Sequence, residues 1–177
     1  MTPTNPNRRA EIIDAAERRF ASQGYLQTSV SEIIGDAGIA KGTFYHYFQS
    51  KESVMYAVID KNITLLKTQV ESYMAESTQP PLAQFTMILG GGFAPRRPET
   101  TAISTELEQD GNELMHMRAI DATINALIPP LADLLGRATA NGDIDCPNPN
   151  IAAAAILVLS AQLLDRDLLG WVKTRDI

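Results

Sequence analysis

A short segment, residues 41–47, concentrates side chains that can contact a polyanion. Its seven residues include one lysine, one threonine, one histidine and two tyrosines. Ammonium and hydroxyl groups bind phosphate oxygens, and lysine and threonine also contact base edges in the major groove of DNA. The residue types therefore suit a helix that binds nucleic acid.

The hydrophobic pattern predicts which side of this helix faces outward. At about 100° per residue, Phe44 and Phe48 fall on one stripe, which we expect to pack on the preceding helices. The remaining positions are expected to face outward: Gly42, Thr43, Tyr45 and His46. Because Gly42 has no side chain, the helix can approach a groove closely.

The preceding residues predict the rest of a helix-turn-helix. A helix over 8–23 carries apolar residues at a spacing of four and stops at a glycine. Ser29 and Glu32 have the capping-box spacing, so a second, short helix begins there and ends before Gly38. A third helix covers 40–48. Two short helices joined by a glycine-centred turn form a DNA-binding motif.

This stretch resembles the N-terminal domain of the TetR family of transcriptional regulators over about residues 8–54. The matching positions are Phe20-Ala21-Ser22-Gln23-Gly24-Tyr25, Thr28, Val30, Ile33, Ala37-Gly38-Ile39, Lys41-Gly42-Thr43-Phe44-Tyr45-His46-Tyr47-Phe48 and Lys51-Glu52. A generic helix–glycine–helix pattern is more often a helix pair packed within some α-helical domain, but a run of this length is far more specific. We therefore predict double-stranded DNA as a partner. The predicted DNA contacts are Thr28, Lys41, Gly42, Thr43, Tyr45, His46, Tyr47 and Lys51.

Two positions depart from the family pattern. Gly35 stands where the family usually has a small residue other than glycine, and a glycine inside a helix costs up to about 1 kcal/mol relative to alanine. Ala40 stands where the family often has serine, so the third helix lacks a side-chain cap. Neither departure changes the predicted fold.

The distribution of charge limits what one copy of the chain can do. The net charge is −6, yet residues 1–51 hold six basic against five acidic residues. The predicted DNA-binding part is thus nearly neutral, and the acidity lies in the remaining two thirds. A small positive charge predicts few phosphate contacts per copy, so a dimer would bind DNA more tightly.

The sequence gives little support to other classes of protein. A run of about 18 apolar residues is absent and the first seven residues are polar, so we expect a cytoplasmic protein without a membrane span or secretory signal. The single cysteine, Cys146, fits a reducing compartment, with a redox-sensing thiol as the alternative. His46 and His116 lie far apart and no catalytic or cofactor motif occurs, so we expect no metal, no cofactor and no enzyme activity.

Residues 51–177 carry helical rather than strand patterns. Predicted helices cover 51–75, 82–89, 99–127, 129–139 and 150–172, the third interrupted near residues 110–112. Pro129-Pro130 is predicted to begin a new helix because proline suits a first helical turn. The predicted fold is all-α, with an N-terminal three-helix helix-turn-helix DNA-binding domain (1–50) and a larger helical domain (51–177).

The resemblance implies that the larger domain binds a small effector and dimerises through its last two helices. The segments 129–139 and 150–172 are apolar and joined by a turn, and the second is apolar nearly all round. Burial of that helix in the core of its own subunit is the alternative. A homodimer through about residues 129–172 is favoured, because recognition helices bind DNA in pairs about one helical turn apart.

Apolar residues of this domain are candidates for an effector pocket, since methionine and aromatic side chains adapt to irregular ligands. The candidates are Leu66, Met74, Phe85, Met87, Ile88, Phe93, Ile103, Leu107, Met115 and His116. Ordinary core packing is the more frequent explanation of such a set, and a histidine such as His116 is more often a hydrogen-bonded core or surface residue. An acidic cluster at 106–113 either attracts a cationic ligand or is a solvated helix face.

The predicted function is a dimeric TetR-like repressor that binds palindromic operator DNA and is released by a small-molecule effector. Two alternatives stay open. One is a DNA-binding regulator controlled by a protein partner instead of a small molecule. The other is a helical interaction protein that does not bind DNA.

Overall fold

A computed structural model describes residues 6–93, 97–109 and 111–165, with side chains described as far as Ala161. Asp110 and the end of the predicted last helix, 166–172, lie outside this part of the chain. The described residues form eight α-helices and no strand, which confirms the all-α prediction. The helices are α1 (Pro6–Gln23), α2 (Val30–Ala37), α3 (Lys41–Tyr47), α4 (Lys51–Glu76), α5 (Pro81–Leu89), α6 (Pro98–Leu107), α7 (Glu113–Ala140) and α8 (Pro149–Asp165).

One predicted helix boundary is wrong. The sequence predicted that a helix begins at Pro129-Pro130, but α7 runs through both prolines. Proline inside a helix removes a backbone hydrogen bond and destabilises it by about 3 kcal/mol. Leu127 and Leu131 on the two sides of the pair are both buried in one core. Tertiary packing of the whole face thus outweighs the local preference.

The first of two compact units contains, among the described residues, 6–64 and 97–119. It comprises the first three helices, the start of α4, all of α6 and the first turns of α7. Its core is centred on four fully buried side chains, Ile12, Phe20, Ile33 and Phe44. α1 packs against both α2 and α6, so α6 belongs to the same core as the helix-turn-helix.

The second unit contains 65–93 and 120–165 of the described residues. The later part of α4, α5, most of α7 and α8 contribute to its apolar core. α8 buries Ala153 and Leu157 in that core and exposes large apolar side chains on another face. The exposed ones are Ile151, Val158 and Leu159.

The packing units do not coincide with the predicted boundary after residue 50. The first turns of α4 and the whole of α6 pack with the helix-turn-helix, because Val54, Val58 and Ile103 join its core. The boundary between 50 and 51 stays a prediction about the division of function.

The glycine inside α2 generates a prediction about stability. A Cβ added at Gly35 would meet no other atom within 4 Å. Gly35→Ala should therefore raise the free energy of unfolding by about 0.5–1 kcal/mol, because alanine has less backbone freedom to lose on folding. Urea denaturation followed by circular dichroism measures the change.

Gly38→Ala is the matched control for that substitution. Gly38 has a φ of +61°, which an alanine adopts only with strain, although its Cβ would also meet open space. The control variant should be less stable than the wild type. Equal destabilisation by both substitutions would show that the interior of α2 requires glycine for another reason.

Candidate nucleic-acid interface

The exposed face of α3 carries three of the four residues that the sequence predicted to face outward, and the fourth, Thr43, is half-buried. Phe44 and Phe48 are buried in the first core, as the helical wheel predicted. Tyr45 is 49% exposed, and three other predicted contacts are exposed beside it. These three are Lys41, Gly42 and His46, while Thr43 and Tyr47 are half-buried.

Local hydrogen bonds fix the turn that leads into α3. The Ser29 side chain accepts from the backbone N–H of Glu32, and the Glu32 carboxylate accepts from the N–H of Ser29 at 2.8 Å, so the predicted capping box is present. At the other end of α2, Gly38 adopts the left-handed conformation with φ 61° and ψ 37°. Its N–H donates to the carbonyl of Gly35, and the next N–H donates to Ile34. Both features could be predicted from the sequence because the residues that form each of them are close neighbours in the chain.

The third helix lacks a side-chain cap, as the sequence indicated. The backbone N–H groups of Thr43 and Phe44 donate to the carbonyl of Ala40, and the alanine side chain offers no acceptor. The position of α3 therefore depends on packing. Phe44 supplies that packing because it is fully buried.

A paired contact that the sequence analysis missed holds α2 against α1. The Arg19 guanidinium donates through two nitrogens to the Asp36 carboxylate, one of them at 2.8 Å. The bonds from Arg19 lower the pKa of Asp36 and raise that of Arg19 itself. Gln23 adds a bond from Nε2 to Glu32 at 3.2 Å. Two-point contact fixes direction as well as distance, so it sets the angle at which α2 lies on α1.

A second missed cluster joins α1 to α4. The Lys61 ammonium lies 2.6 Å from a carboxylate oxygen of Asp14 and 2.5 Å from one of Glu17, which is buried. Burial acts to lower the pKa of Lys61, but the bonds to these two carboxylates outweigh it and raise the pKa. The carboxylates lie one helical turn apart on α1, and only the tertiary fold brings Lys61 to them.

Thr28 and Lys51 have internal partners. Thr28 is only 2% exposed, and its hydroxyl donates to the carbonyl of Gly24 at 2.7 Å. The Lys51 ammonium donates to the carbonyls of Tyr25 and Thr28 at 2.7 and 2.8 Å, and lies 4.3 Å from the centre of the Tyr25 ring. Burial lowers the pKa of Lys51, while the negative charge of Glu106 opposes that shift. We therefore assign both side chains to holding the turn between α1 and α2, and the other six predicted contacts remain candidates.

The candidate effector residues belong to two different cores. Ile103 and Leu107 are buried in the first core, with Met115 packed against it and His116 half-buried on α7. Met87 is 44% exposed. The other five contribute to the second core or pack against it: Leu66, Met74, Phe85, Ile88 and Phe93. Six of the ten candidates, these five and Met87, therefore lie in the second unit, and the pocket stays a prediction.

The residues of the acidic cluster at the end of α6 differ in how far they are exposed to solvent. Glu108 and Glu113 are exposed, which agrees with a solvated face. Glu106 is different, because it is 6% exposed and accepts a hydrogen bond from the backbone N–H of Tyr25 at 2.6 Å. Asp110 lies outside the described residues.

The described residues contain no group of three or more histidine, cysteine, aspartate or glutamate residues placed to hold a metal ion. None of the helices in the same part of the chain is long and apolar enough to cross a membrane. Cys146 is half-buried and packs against the second core.

The first unit has the features of a helix-turn-helix protein. These features are the short capped helix, the left-handed glycine turn, the buried aromatic pair and the exposed polar helix face. Residues 12–58 match the family model for bacterial regulatory proteins of the TetR family. This part of the chain is therefore similar to the N-terminal domain of that family, and the matching proteins are named as regulators of transcription and not as enzymes.

Three comparisons illustrate the relationship. The fatty acid metabolism regulator protein of Bacillus subtilis is 27% identical over 135 residues, which cover 76% of this chain and 69% of that protein. The transcriptional repressor KstR2 of Mycolicibacterium smegmatis is 34% identical over 80 residues, covering 45% of this chain and 39% of the repressor. The regulatory protein TetR from Rhodobacter sphaeroides has a TM-score of 0.56 at 22% identity, with 89% of each chain covered. Matches to most of the first curated relatives span less than half of their length.

The capping box generates a prediction about acid stability. Hydrogen bonds from the Ser29 backbone and hydroxyl, and from Gln23, lower the pKa of Glu32 to about 2 from an ordinary value of 4.5. Because the unfolded chain binds this proton more readily, the stabilisation is present above the ordinary pKa and is lost as the pH falls from about 4.5 towards 2. Glu32→Gln removes the titration. Urea denaturation of both proteins should show their stability difference shrinking from about pH 5 to about pH 3. A difference that stays constant over that range contradicts the assignment.

Proposed function

We propose that this protein is a dimeric transcriptional repressor that binds a palindromic operator and is released by a small-molecule effector. It acts in the cytoplasm, where bacterial DNA lies. The observation that carries the proposal is the outward face of α3, where Lys41, Tyr45 and His46 are exposed while Phe44 holds the helix in the core. The name of one relative, a transcriptional repressor, supports the direction of regulation.

Gly42 supports close approach of α3 to DNA. A Cβ at this position would meet nothing within 4 Å of the protein itself. A glycine in a seven-residue helix costs about 1 kcal/mol relative to alanine, so the fold gains nothing from it. An external surface that needs the space explains the residue, and the floor of a major groove is such a surface.

Each remaining candidate contact has a distinct role in this proposal. Lys41 reaches a phosphate or a guanine edge, and Thr43 offers its hydroxyl and its methyl group to a base. The hydroxyl groups of Tyr45 and Tyr47 donate to phosphates. His46 faces the same side of α3 as Tyr45 and can contact a base or a phosphate.

The proposed dimer uses the exposed apolar face of α8. Val158 and Leu159 follow Ile151 by seven and eight residues. This spacing puts the three side chains on one side of the helix, together with the exposed Ala155. An exposed apolar stripe of this kind marks an interaction surface. A second copy of the chain is the proposed occupant, because a nearly neutral DNA-binding module needs two copies to bind tightly.

The proposed effector binds in the second unit. The core of this unit includes Phe85, with Phe93 and Met74 packed against it, and their aromatic and thioether groups adapt to an apolar ligand. An effector releases DNA only if it binds one arrangement of the dimer better than the other.

Footprinting on the DNA upstream of the protein's own coding region tests the central proposal. A protected palindrome identifies the operator, and a small-molecule screen for release then separates an effector-controlled repressor from one controlled by a protein partner. Absence of salt-dependent protection on any such fragment would favour a helical interaction protein that does not bind DNA.

Lys41→Ala should weaken binding to this operator. If the ammonium contacts a phosphate, the slope of log affinity against log salt becomes less negative by about one per subunit and all sequences are affected alike. If it contacts guanine, discrimination against the wrong base falls by about 1–3 kcal/mol instead. Fluorescence anisotropy at several salt concentrations measures both quantities.

Lys67→Ala is the matched control, because it removes the same charge from an exposed position on α4 in the second unit. It should leave operator affinity near the wild-type value. The assignment of Lys41 fails if both variants lose the same affinity, or if neither does.

Leu159→Glu should convert the dimer to a monomer and weaken operator binding. The side chain is 61% exposed, so the change leaves the fold of the subunit intact. Leu114→Glu places the same new charge on an exposed apolar position in the first unit and should leave the dimer unchanged. Sedimentation equilibrium gives the masses. A dimeric Leu159→Glu variant, or a monomeric wild type, rules out this interface.

A further inference from the structure

The carboxylate of Glu106 is buried against the turn that begins the helix-turn-helix. Glu106 lies in the last turn of α6, and its Oε1 accepts from the backbone N–H of Tyr25 at 2.6 Å. Its Oε2 accepts from the side-chain amide of Gln109 at 3.0 Å. Residues 24–28 form the turn between α1 and α2, so one side chain joins α6 directly to the backbone that starts α2.

Gly24 shows how closely the carboxylate approaches. This residue has a φ of +90°, and a Cβ built on it would lie 3.1 Å from one carboxylate oxygen of Glu106 and 3.2 Å from the other. The carboxylate therefore occupies the space that a side chain would need. Gly24 is required both by its backbone conformation and by the approach of Glu106.

The Lys51 ammonium also binds this turn, but through backbone carbonyl groups, whereas Glu106 binds a backbone N–H. The Lys51 ammonium donates to the carbonyls of Tyr25 and Thr28, while Glu106 accepts from the N–H of Tyr25. One peptide segment thus has its acceptors bound to a positive charge and a donor bound to a negative charge. All three bonds are charge-assisted, which makes them stronger than neutral ones.

The end of α6 is fixed as well. The side chain of Asn112, which is buried, donates to the backbone carbonyl of Glu106 at 2.8 Å. The side-chain amide of Gln109 donates to the carboxylate oxygen that does not accept from Tyr25. With its backbone and one oxygen held in this way, Glu106 presents its other oxygen to Tyr25 in one geometry.

We infer that Glu106 is a positioning residue for DNA binding, which fixes the turn at 24–28 and thereby the placement of α2 and α3. The inference rests on the proposed function. It assigns a role to an acidic residue that touches no candidate DNA contact on α3 and acts through the backbone of Tyr25. Loss of this bond frees the start of α2 to shift, and α3 shifts with it because Ile33 and Phe44 share one core.

The sign of the effect separates this role from ordinary electrostatics. Removing a negative charge from a DNA-binding protein strengthens binding when charge alone matters. Removing Glu106 should weaken it. Glu108→Ala is the matched control, because Glu108 is two residues away, exposed and equally charged.

The experiment compares wild type, Glu106→Ala, Glu106→Gln and Glu108→Ala under conditions in which each is folded by circular dichroism. Operator affinity and amide hydrogen exchange are measured for each. Glu106→Ala should weaken operator binding about tenfold and speed exchange at Tyr25 by about the same factor, because a charge-assisted bond is lost. Glu106→Gln should fall between it and the wild type, since an amide oxygen accepts more weakly. The slope with salt should stay unchanged.

Each other outcome has a definite meaning. Faster exchange at Tyr25 with unchanged affinity makes Glu106 a stabilising residue only and overturns the inference, as do unchanged values of both. If only Glu106→Ala fails to fold, Glu106→Gln decides the question by the same criteria. If the wild type binds no operator, the proposed function fails and the inference with it, whereas normal wild-type binding with full affinity in the variants overturns the inference alone.

Discussion

A seven-residue helix does not persist in water by itself, so α3 depends on the burial of Phe44 and Phe48. These rings join the core of the first unit and turn the opposite side of α3 outward. The other features of the module support that arrangement. Arg19 and Asp36 set α2 on α1, and the left-handed turn at Gly38 directs the chain into α3. An exposed polar face is useful for recognition only because the buried face is rigid.

Internal bonding changes the meaning of the charge count. Residues 1–51 contain six basic residues, which at first suggests six cations for phosphates. Arg19 is bonded to Asp36, Lys51 is bonded to backbone carbonyls, and Arg8 pairs with exposed Glu11. Fewer than six cations of this segment are therefore left to contact DNA phosphates. This strengthens the reason for proposing that a second copy of the chain contributes to DNA affinity.

Prediction from the sequence succeeded where the physical cause is local. The helix bounds of the first three helices, the capping box at Ser29 and the outward face of α3 all follow from spacings of a few residues, and the structure confirms them. The start of a helix at Pro129 was predicted from an equally local rule and was wrong, because α7 is held by buried leucines on both sides of that position. Local preference decides a boundary only where packing does not oppose it.

The sequence by itself predicted the resemblance to the family, the all-α architecture and the buried and outward sides of α3, since helical periodicity and turn chemistry are properties of neighbouring residues. Only the tertiary structure decided which polar residues are internal. Lys51 meets Tyr25 from 26 positions away, and Glu106 meets it from 81. In the sequence, a lysine or glutamate that is bonded to a buried backbone turn cannot be distinguished from one that is solvated at the surface. Their partners are peptide groups, which every residue has, so no pattern of side chains could reveal them.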